Sequence, residues 1–146
     1  MKKEDLIIVF VVDQTPSEIF NAVNNVRGWW LSSAKGESSK AGDEFTVQFG
    51  DVHFSRQKLV EVVPEKKVVW EVTESRLNFT ADNGEWTGTR VIFEMAPVAG
   101  GSELRFTHAG LTPSLECFGG CSNAWQGYIT GSLRKLITTG KGSPTP

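Results

Sequence analysis

The sequence predicts an α+β fold, a curved antiparallel sheet wrapped around one long C-terminal α-helix. Three observations carry that reading. A capped helical signature follows the first apolar run, the hydrophobic period changes from 3.6 to 2 at Glu44, and the last thirty residues return to apolar positions spaced by three and four. The 146 residues are 39% hydrophobic, the size of one ordinary domain. A chain of this length hides roughly 70% of the surface it would expose unfolded, so it supports a core without staples. Fifteen Lys and Arg against 17 Asp and Glu give a formal charge of −2. Nothing in that balance draws the chain toward nucleic acid or anionic lipid.

The run Leu6 to Val12 reads as a first strand, buried on both faces because it is apolar at every position. Lys2 and Lys3 before it resemble a signal peptide, but Glu4 and Asp5 interrupt the pattern and no small-residue cleavage site follows. Seven apolar residues cannot span a bilayer. No membrane insertion is therefore expected, and two cysteines are typical of a reducing compartment, which makes the expected location cytoplasmic.

Thr15 is placed as an N-cap, Pro16 at the first helical position and Glu18 as the far side of a capping box. Ile19, Phe20, Val23 and Val26 supply the apolar face, Gly28 ends the helix, and Trp29-Trp30-Leu31 start an apolar corner. Ser32 to Gly42 reads as a surface loop.

Strands begin at Glu44. Phe45, Val47 and Phe49 alternate with polar residues, and Gly50-Asp51 reads as a two-residue hairpin turn. That turn sets Phe49 opposite Val52, Val47 opposite Phe54 and Phe45 opposite Arg56 on one face. The strand continues through Val60 and Val62 to a turn near Pro64, and Val68, Trp70 and Val72 resume the alternation. A three-residue connection there sets Val62 against Val68, Val60 against Trp70 and Arg56 against Glu74. Residues 75 to 87 are irregular, with Asp82-Asn83-Gly84 as a turn. Val91, Phe93 and Met95 then pair with Leu104, Phe106 and His108. The final helix starts near Ser114 and carries Phe118, Cys121, Trp125, Tyr128, Ile129, Leu133 and Leu136 on its apolar face, with a frayed tail from Gly140.

An apolar face with a few embedded polar groups is what a small-molecule cavity requires. The candidate ligand-binding residues on the sheet are Phe45, Val47, Phe54, Trp70, Val72, Phe93 and Phe106, with Arg56 and Glu74 as an ion pair at the cavity mouth. Cys121, Trp125 and Tyr128 face them from the helix. If instead a bulge in the long strand flips its parity, Arg56, Lys58 and Glu74 turn to solvent. His108 either binds a polar ligand group or acts as acid or base, or else is a hydrogen-bonded structural histidine. His108 and Arg56 are the candidate catalytic pair.

Cys117 and Cys121 share a helix face, but His53 is expected on the opposite side of a different strand from His108, which leaves too few ligands for zinc. The two thiols read as small hydrophobes, and no metal or cofactor is expected. Trp70 and Trp125 read as core or cavity wall, whereas Trp29, Trp30 and Trp86 lie at loop junctions able to frame an entrance. Thr138 to Ser143 lacks the glycine spacing of a phosphate loop, and no nucleophile elbow occurs.

The run Phe106-Thr107-His108-Ala109-Gly110-Leu111, then Cys117, Trp125 and Gly131 to Leu136 leading into Thr139-Gly140-Lys141-Gly142, resembles the START-like superfamily. Thr15 to Phe20 with Trp29-Trp30 is similar to the opening helix and tryptophan motif of its activator of Hsp90 ATPase homologue 1-like branch. The resemblance implies a helix-grip fold with a deep hydrophobic cavity between sheet and helix. It implies a small hydrophobic or amphipathic ligand, with a cyclase or dehydratase using His108 and Arg56 as one alternative and a module acting on an Hsp90-type chaperone ATPase as another. Ligand identity and oligomeric state are left open.

Overall fold

A computed structural model describes residues 5–51, 53–77, 84, 86–112 and 118–145. Strand β1 (Leu6–Val12) leads into helices α1 (Pro16–Asn24) and α2 (Val26–Trp29), then a two-residue strand β2 (Lys35–Gly36). Five longer strands follow: β3 (Glu44–Phe49), β4 (His53–Val63), β5 (Lys67–Leu77), β6 (Arg90–Val98) and β7 (Gly101–Ala109). They form one seven-stranded sheet in the order β1-β7-β6-β5-β4-β3-β2, antiparallel throughout. The closing helix lies across it in three stretches, α3 (Phe118–Gln126), a π-helical segment (Gly127–Leu133) and α4 (Arg134–Thr139). This is the helix-grip architecture. Among the described residues no helix is long and apolar enough to cross a membrane.

The opening helix starts as its residues dictate. Glu18 N–H donates to Thr15 Oγ1 at 3.2 Å and Thr15 N–H reaches back to Glu18 Oε1 at 3.4 Å, which completes the capping box. The helix stops at Asn25 (φ −91°, ψ 67°), not at Gly28, which lies inside α2. Gly28 has a packing role: a Cβ there would press on the Asn25 side chain and meet Leu136 at 3.2 Å. Only hydrogen allows α2 to approach the final helix this closely.

The first strand is buried on one face only. Leu6, Ile8 and Val12 face the helices, whereas Ile7, Val9 and Val11 are 50%, 43% and 49% exposed at the sheet edge.

The β3–β4 hairpin departs from the expected register by one residue. Its connection spans three residues, 50 to 52, with Gly50 at φ 56°, and pairs Phe49 with His53, Val47 with Ser55 and Phe45 with Gln57. Val52 lies outside the described residues. A one-residue slip moves every side chain to the other face. His53, Ser55, Gln57 and Leu59 therefore point inward, and Phe54, Arg56 and Lys58 point outward.

Two bulges then cancel. Val60 is the extra residue of β4, so Leu59 rather than Val60 opposes Trp70, and Thr73 is the extra residue of β5. On either side of them Val62 opposes Val68 and Arg56 opposes Glu74, as the three-residue connection requires. The Arg56–Glu74 ion pair forms at 2.8 Å, but both side chains are nearly half exposed on the outer face. Strands β6 and β7 pair as expected, Val91 with His108, Phe93 with Phe106 and Met95 with Leu104.

The inner surface is aromatic. All five tryptophans are buried and form one continuous network: Trp30 stacks on Trp70 at 5.7 Å, packs on Trp125 at 5.0 Å and contacts Trp29, while Trp86 stacks on Trp125 at 5.7 Å. Aromatic pairs of this kind contribute about 0.5–1.5 kcal/mol each beyond their buried area.

The π segment has a cause in spacing. Trp125, Ile129, Leu133 and Ile137 are all buried at intervals of four, and in an α-helix each such step drifts around the axis by about 40°. A turn widened to i→i+5 bonding absorbs the drift and keeps the four on the sheet. The predicted start near Ser114 lies outside the described residues, as do Cys117 and the turn residues Asp82 and Asn83.

The tail after Gly140 is tied down rather than frayed. Ser32 N–H donates to Thr145 O and Thr145 N–H to Trp30 O, while Tyr128 Oη meets Thr145 Oγ1 at 2.5 Å. Ser132 Oγ, buried in the π segment, donates to Trp29 O at 2.6 Å and accepts from Ser143 N–H at 2.8 Å. Substituting Ser132→Ala leaves both partners without that bond, and the expected cost is about 1–3 kcal/mol in urea unfolding, with faster amide exchange at Ser143. Unchanged stability and unchanged exchange would contradict this account.

Candidate functional site

A pocket of about 270 Å³ opens between the tip of the β3–β4 hairpin and the start of the final helix. The sheet side supplies Phe49 and His53, the loops supply Trp30 and Trp86, and the helix supplies Gly120, Cys121, Ala124, Trp125 and Tyr128. The lining is predominantly carbon. Helix residues 120, 121, 124, 125 and 128 recur at three and four, which puts them on one face, and the small ones among them leave the space that the rings surround.

Polar groups meet the pocket at its sheet wall. His53 packs edge-on to Trp86 at 4.6 Å and to Phe49 at 5.4 Å. Its Nε2 lies 2.9 Å from Ser55 Oγ, which also accepts from Gln57 Nε2 at 2.5 Å. Ser55 and Gln57 are fully buried. Ser55 is thus no exposed nucleophile. Among the described residues, Gln57 Oε1 and the indole N–H of Trp86 are buried without a partner, and each such group costs about 1–3 kcal/mol if nothing satisfies it.

His108 lies behind the wall. Trp125 Nε1–H donates to its Nδ1 at 3.0 Å, and its Nε2 is 2.8 Å from Thr89 Oγ1. The Thr89 hydroxyl proton is given to Trp86 O at 2.6 Å, so the network assigns the Nε2–H tautomer, donating to Thr89. Both ring nitrogens are engaged. This neutral imidazole has no free lone pair for proton transfer and instead locks Trp86 and Trp125, which line the pocket, to β7.

Burial pushes the His53 pKa down to about 4, and burial together with the nearby His53 charge pushes His108 down to about 3. Neither ring changes charge near neutrality. The two rings flank Trp86, at 4.6 and 4.8 Å from it, so the expected placement of His53 on the far face is corrected.

Apart from His108, the structure sorts the sequence candidates into three groups. Cys121, Trp125 and Tyr128 line the pocket. Phe45, Val47, Trp70, Val72, Phe93 and Phe106 are fully packed core beside it and fill most of the space expected to be hollow. Phe54, Arg56 and Glu74 stand on the outer face, where Arg76 covers Phe54 at 4.7 Å. Arg56 and His108 are therefore on opposite faces of the sheet and cannot act on one molecule. Phe49, His53, Gly120 and Ala124 are not among the sequence candidates, and Trp30 and Trp86 are expected there only to frame an entrance. Among the described residues no cluster of three metal-ligating side chains occurs.

A family model described as Activator of Hsp90 ATPase homolog 1-like protein matches residues 13–138. No curated protein matches the sequence. Among solved structures, the solution structure of the Aha1 dimer from Colwellia psychrerythraea superposes with a TM-score of 0.76 at 22% identity, covering 95% of this chain and 99% of that one. CalU16 from Micromonospora echinospora gives 0.66 at 16% identity over 94% of this chain and 77% of that one. DynU16, a protein in the dynemicin biosynthetic locus, gives 0.69 at 16% identity, and covers 97% of this chain but 49% of that one. At these identities the likeness establishes the fold alone.

Both histidines are neutral when folded and ordinary, near 6.5, when unfolded. The unfolded chain then binds more protons below that value, so stability is full above about pH 6.5 and declines as the pH falls, by up to about 1.4 kcal/mol per pH unit for each ring. Replacing His53→Phe should roughly halve the decline between pH 6.5 and 4.5 in urea titrations. An unaltered slope would mean that His53 is not held neutral.

Proposed function

Because the chain belongs to the activator of Hsp90 ATPase homolog 1-like family, we propose that it binds a small hydrophobic or amphipathic molecule in the pocket between the hairpin tip and the final helix. The pocket itself carries the reading. Its walls are three indoles, two further aromatic rings and a thiol, with His53 and the Trp86 N–H, which has no partner among the described residues, as the polar anchors. Apolar lining supplies affinity at about 25 cal/mol per Å² before association costs, and isolated polar groups fix orientation. A cavity of about 150 Å³ accommodates benzene. One of about 270 Å³ suits a compound of roughly two fused rings.

A cyclase or dehydratase built on His108 and Arg56 finds no support, since the two lie on opposite faces of the sheet. The family description also names an Hsp90 ATPase. Action on a chaperone ATPase of that type is the second reading, supported by the family match and tested by adding the protein to the purified ATPase.

The ligand reading is tested with 2-naphthol, a bicyclic probe with one hydroxyl. Thermal stabilisation and a saturable calorimetric titration are expected for the wild type. Ala124→Trp, on the exposed side of the helix at the pocket rim, should weaken binding by about tenfold or more, about 1.4 kcal/mol, without lowering Tm. Absence of binding by naphthol and by a wider panel of apolar compounds, or binding indifferent to Ala124→Trp, would overturn it.

A further inference from the structure

We propose that β1 is a self-pairing edge, through which two copies of this chain join their sheets about a two-fold axis at Val9. Every residue of β1 is apolar, Leu6-Ile7-Ile8-Val9-Phe10-Val11-Val12, yet only one face of the strand is covered. Ile7, Val9 and Val11 leave about half of their surface in solvent. Native edge strands are ordinarily protected by charge, proline or shortness, and this one has none of those along its length.

Among the described residues, no strand lies on the outer side of β1 either. Leu6 N–H donates to Leu111 O, on the β7 side. In an antiparallel ladder successive residues turn their N–H and C=O to alternate sides, so those of Ile7, Val9 and Val11 face outward from the edge. Among the described residues, half-exposed apolar side chains and hydrogen-bonding groups with no strand beside them therefore coincide at three alternate positions.

The occupant follows from symmetry. The exposed positions Ile7, Val9 and Val11 are symmetric about Val9, so an antiparallel second copy sets Ile7 against Val11 of the partner subunit and Val9 against Val9 of the partner subunit. All three pairs are of the doubly hydrogen-bonded kind and bring apolar side chains together on one face. The far edge cannot substitute. There β2 has only Lys35 and Gly36, both exposed, too short and charged to receive a seven-residue strand. Head-to-tail addition is blocked, and β1-to-β1 pairing closes as a dimer.

Sedimentation equilibrium and concentration-dependent hydrogen exchange on the full chain test the proposal. The wild type should dimerise reversibly, with the amides of Ile7, Val9 and Val11 gaining protection as concentration rises. Val9→Lys, on the exposed face, should raise the dissociation constant by about tenfold or more with Tm retained. Paired hydrogen-bonded residues hold their Cα atoms about 5.5 Å apart, within disulfide reach. Val9→Cys should thus cross-link under mild oxidation, with the wild type controlling for its own cysteines. Ile7→Cys should not, because position 7 faces Val11 of the partner subunit. A wild type that stays monomeric at millimolar concentration, a dimer that survives Val9→Lys, capture of β1 by a different protein alone, or cross-linking of the Ile7→Cys variant in place of Val9→Cys would each overturn it. None of these outcomes depends on pocket occupancy.

Discussion

A strand has two faces, and the length of the β3–β4 connection decides which of them meets the closing helix. With three residues between Phe49 and His53, the neutral set His53, Ser55, Gln57 and Leu59 turns inward, and the cations Arg56 and Lys58 turn out. The alternative parity would put two cations under a helix whose described inner residues carry no charge to pair them. Burying an unpaired charge is among the costliest acts a fold can perform. The loop and the charges therefore agree, and the bulge at Val60 returns Val62 to the inner face while the bulge at Thr73 does the same for Leu77. The character of the pocket wall, with imidazole, hydroxyl and amide behind rings, follows from that choice.

The aromatic network converts this wall into a rigid site. Trp125 donates to His108, His108 donates to Thr89, and Thr89 donates to Trp86 O, so the two indoles that bound the pocket are linked through a strand. On the far side, Trp29 and Trp30 are held by their own backbone: Trp29 O by Ser132 of the π segment and Trp30 O by Thr145 of the tail. The widened turn of the final helix thus has two effects. It keeps Trp125, Ile129, Leu133 and Ile137 on the sheet, and it places Ser132 where the corner needs a donor.

Much of the fold is legible in the residues because local chemistry and tertiary need coincide. The capping box at Thr15, the limits of β1 and the β6–β7 register follow from short-range rules that nothing downstream contradicts, whereas the Arg56–Glu74 pairing survives because two bulges cancel. The site is less legible. Neither face of β4 is cleanly apolar, so alternation alone does not choose between Phe54-Arg56-Lys58 and His53-Ser55-Gln57, and Gly50-Asp51 suggests the shorter turn. The charge on Arg56 and Lys58 is the signal that distinguishes them. Periodicity also misjudges β1, where an unbroken apolar run implies cover on both sides, and it misses the π turn, because a repeat of four is compatible with an α-helix over any two steps.

The stacking of the indoles has an optical consequence. Chromophores held 5.0 to 6.2 Å apart across Trp29, Trp30, Trp70 and Trp125, with Trp86 appended through Trp125, exchange excitation rather than emit independently. A quencher lodged beside any one of them would dim all five, and the near-ultraviolet dichroism of the chain should show split bands from coupled rings rather than the sum of isolated tryptophans. The emission of this protein is thereby a property of the assembly, not of its parts.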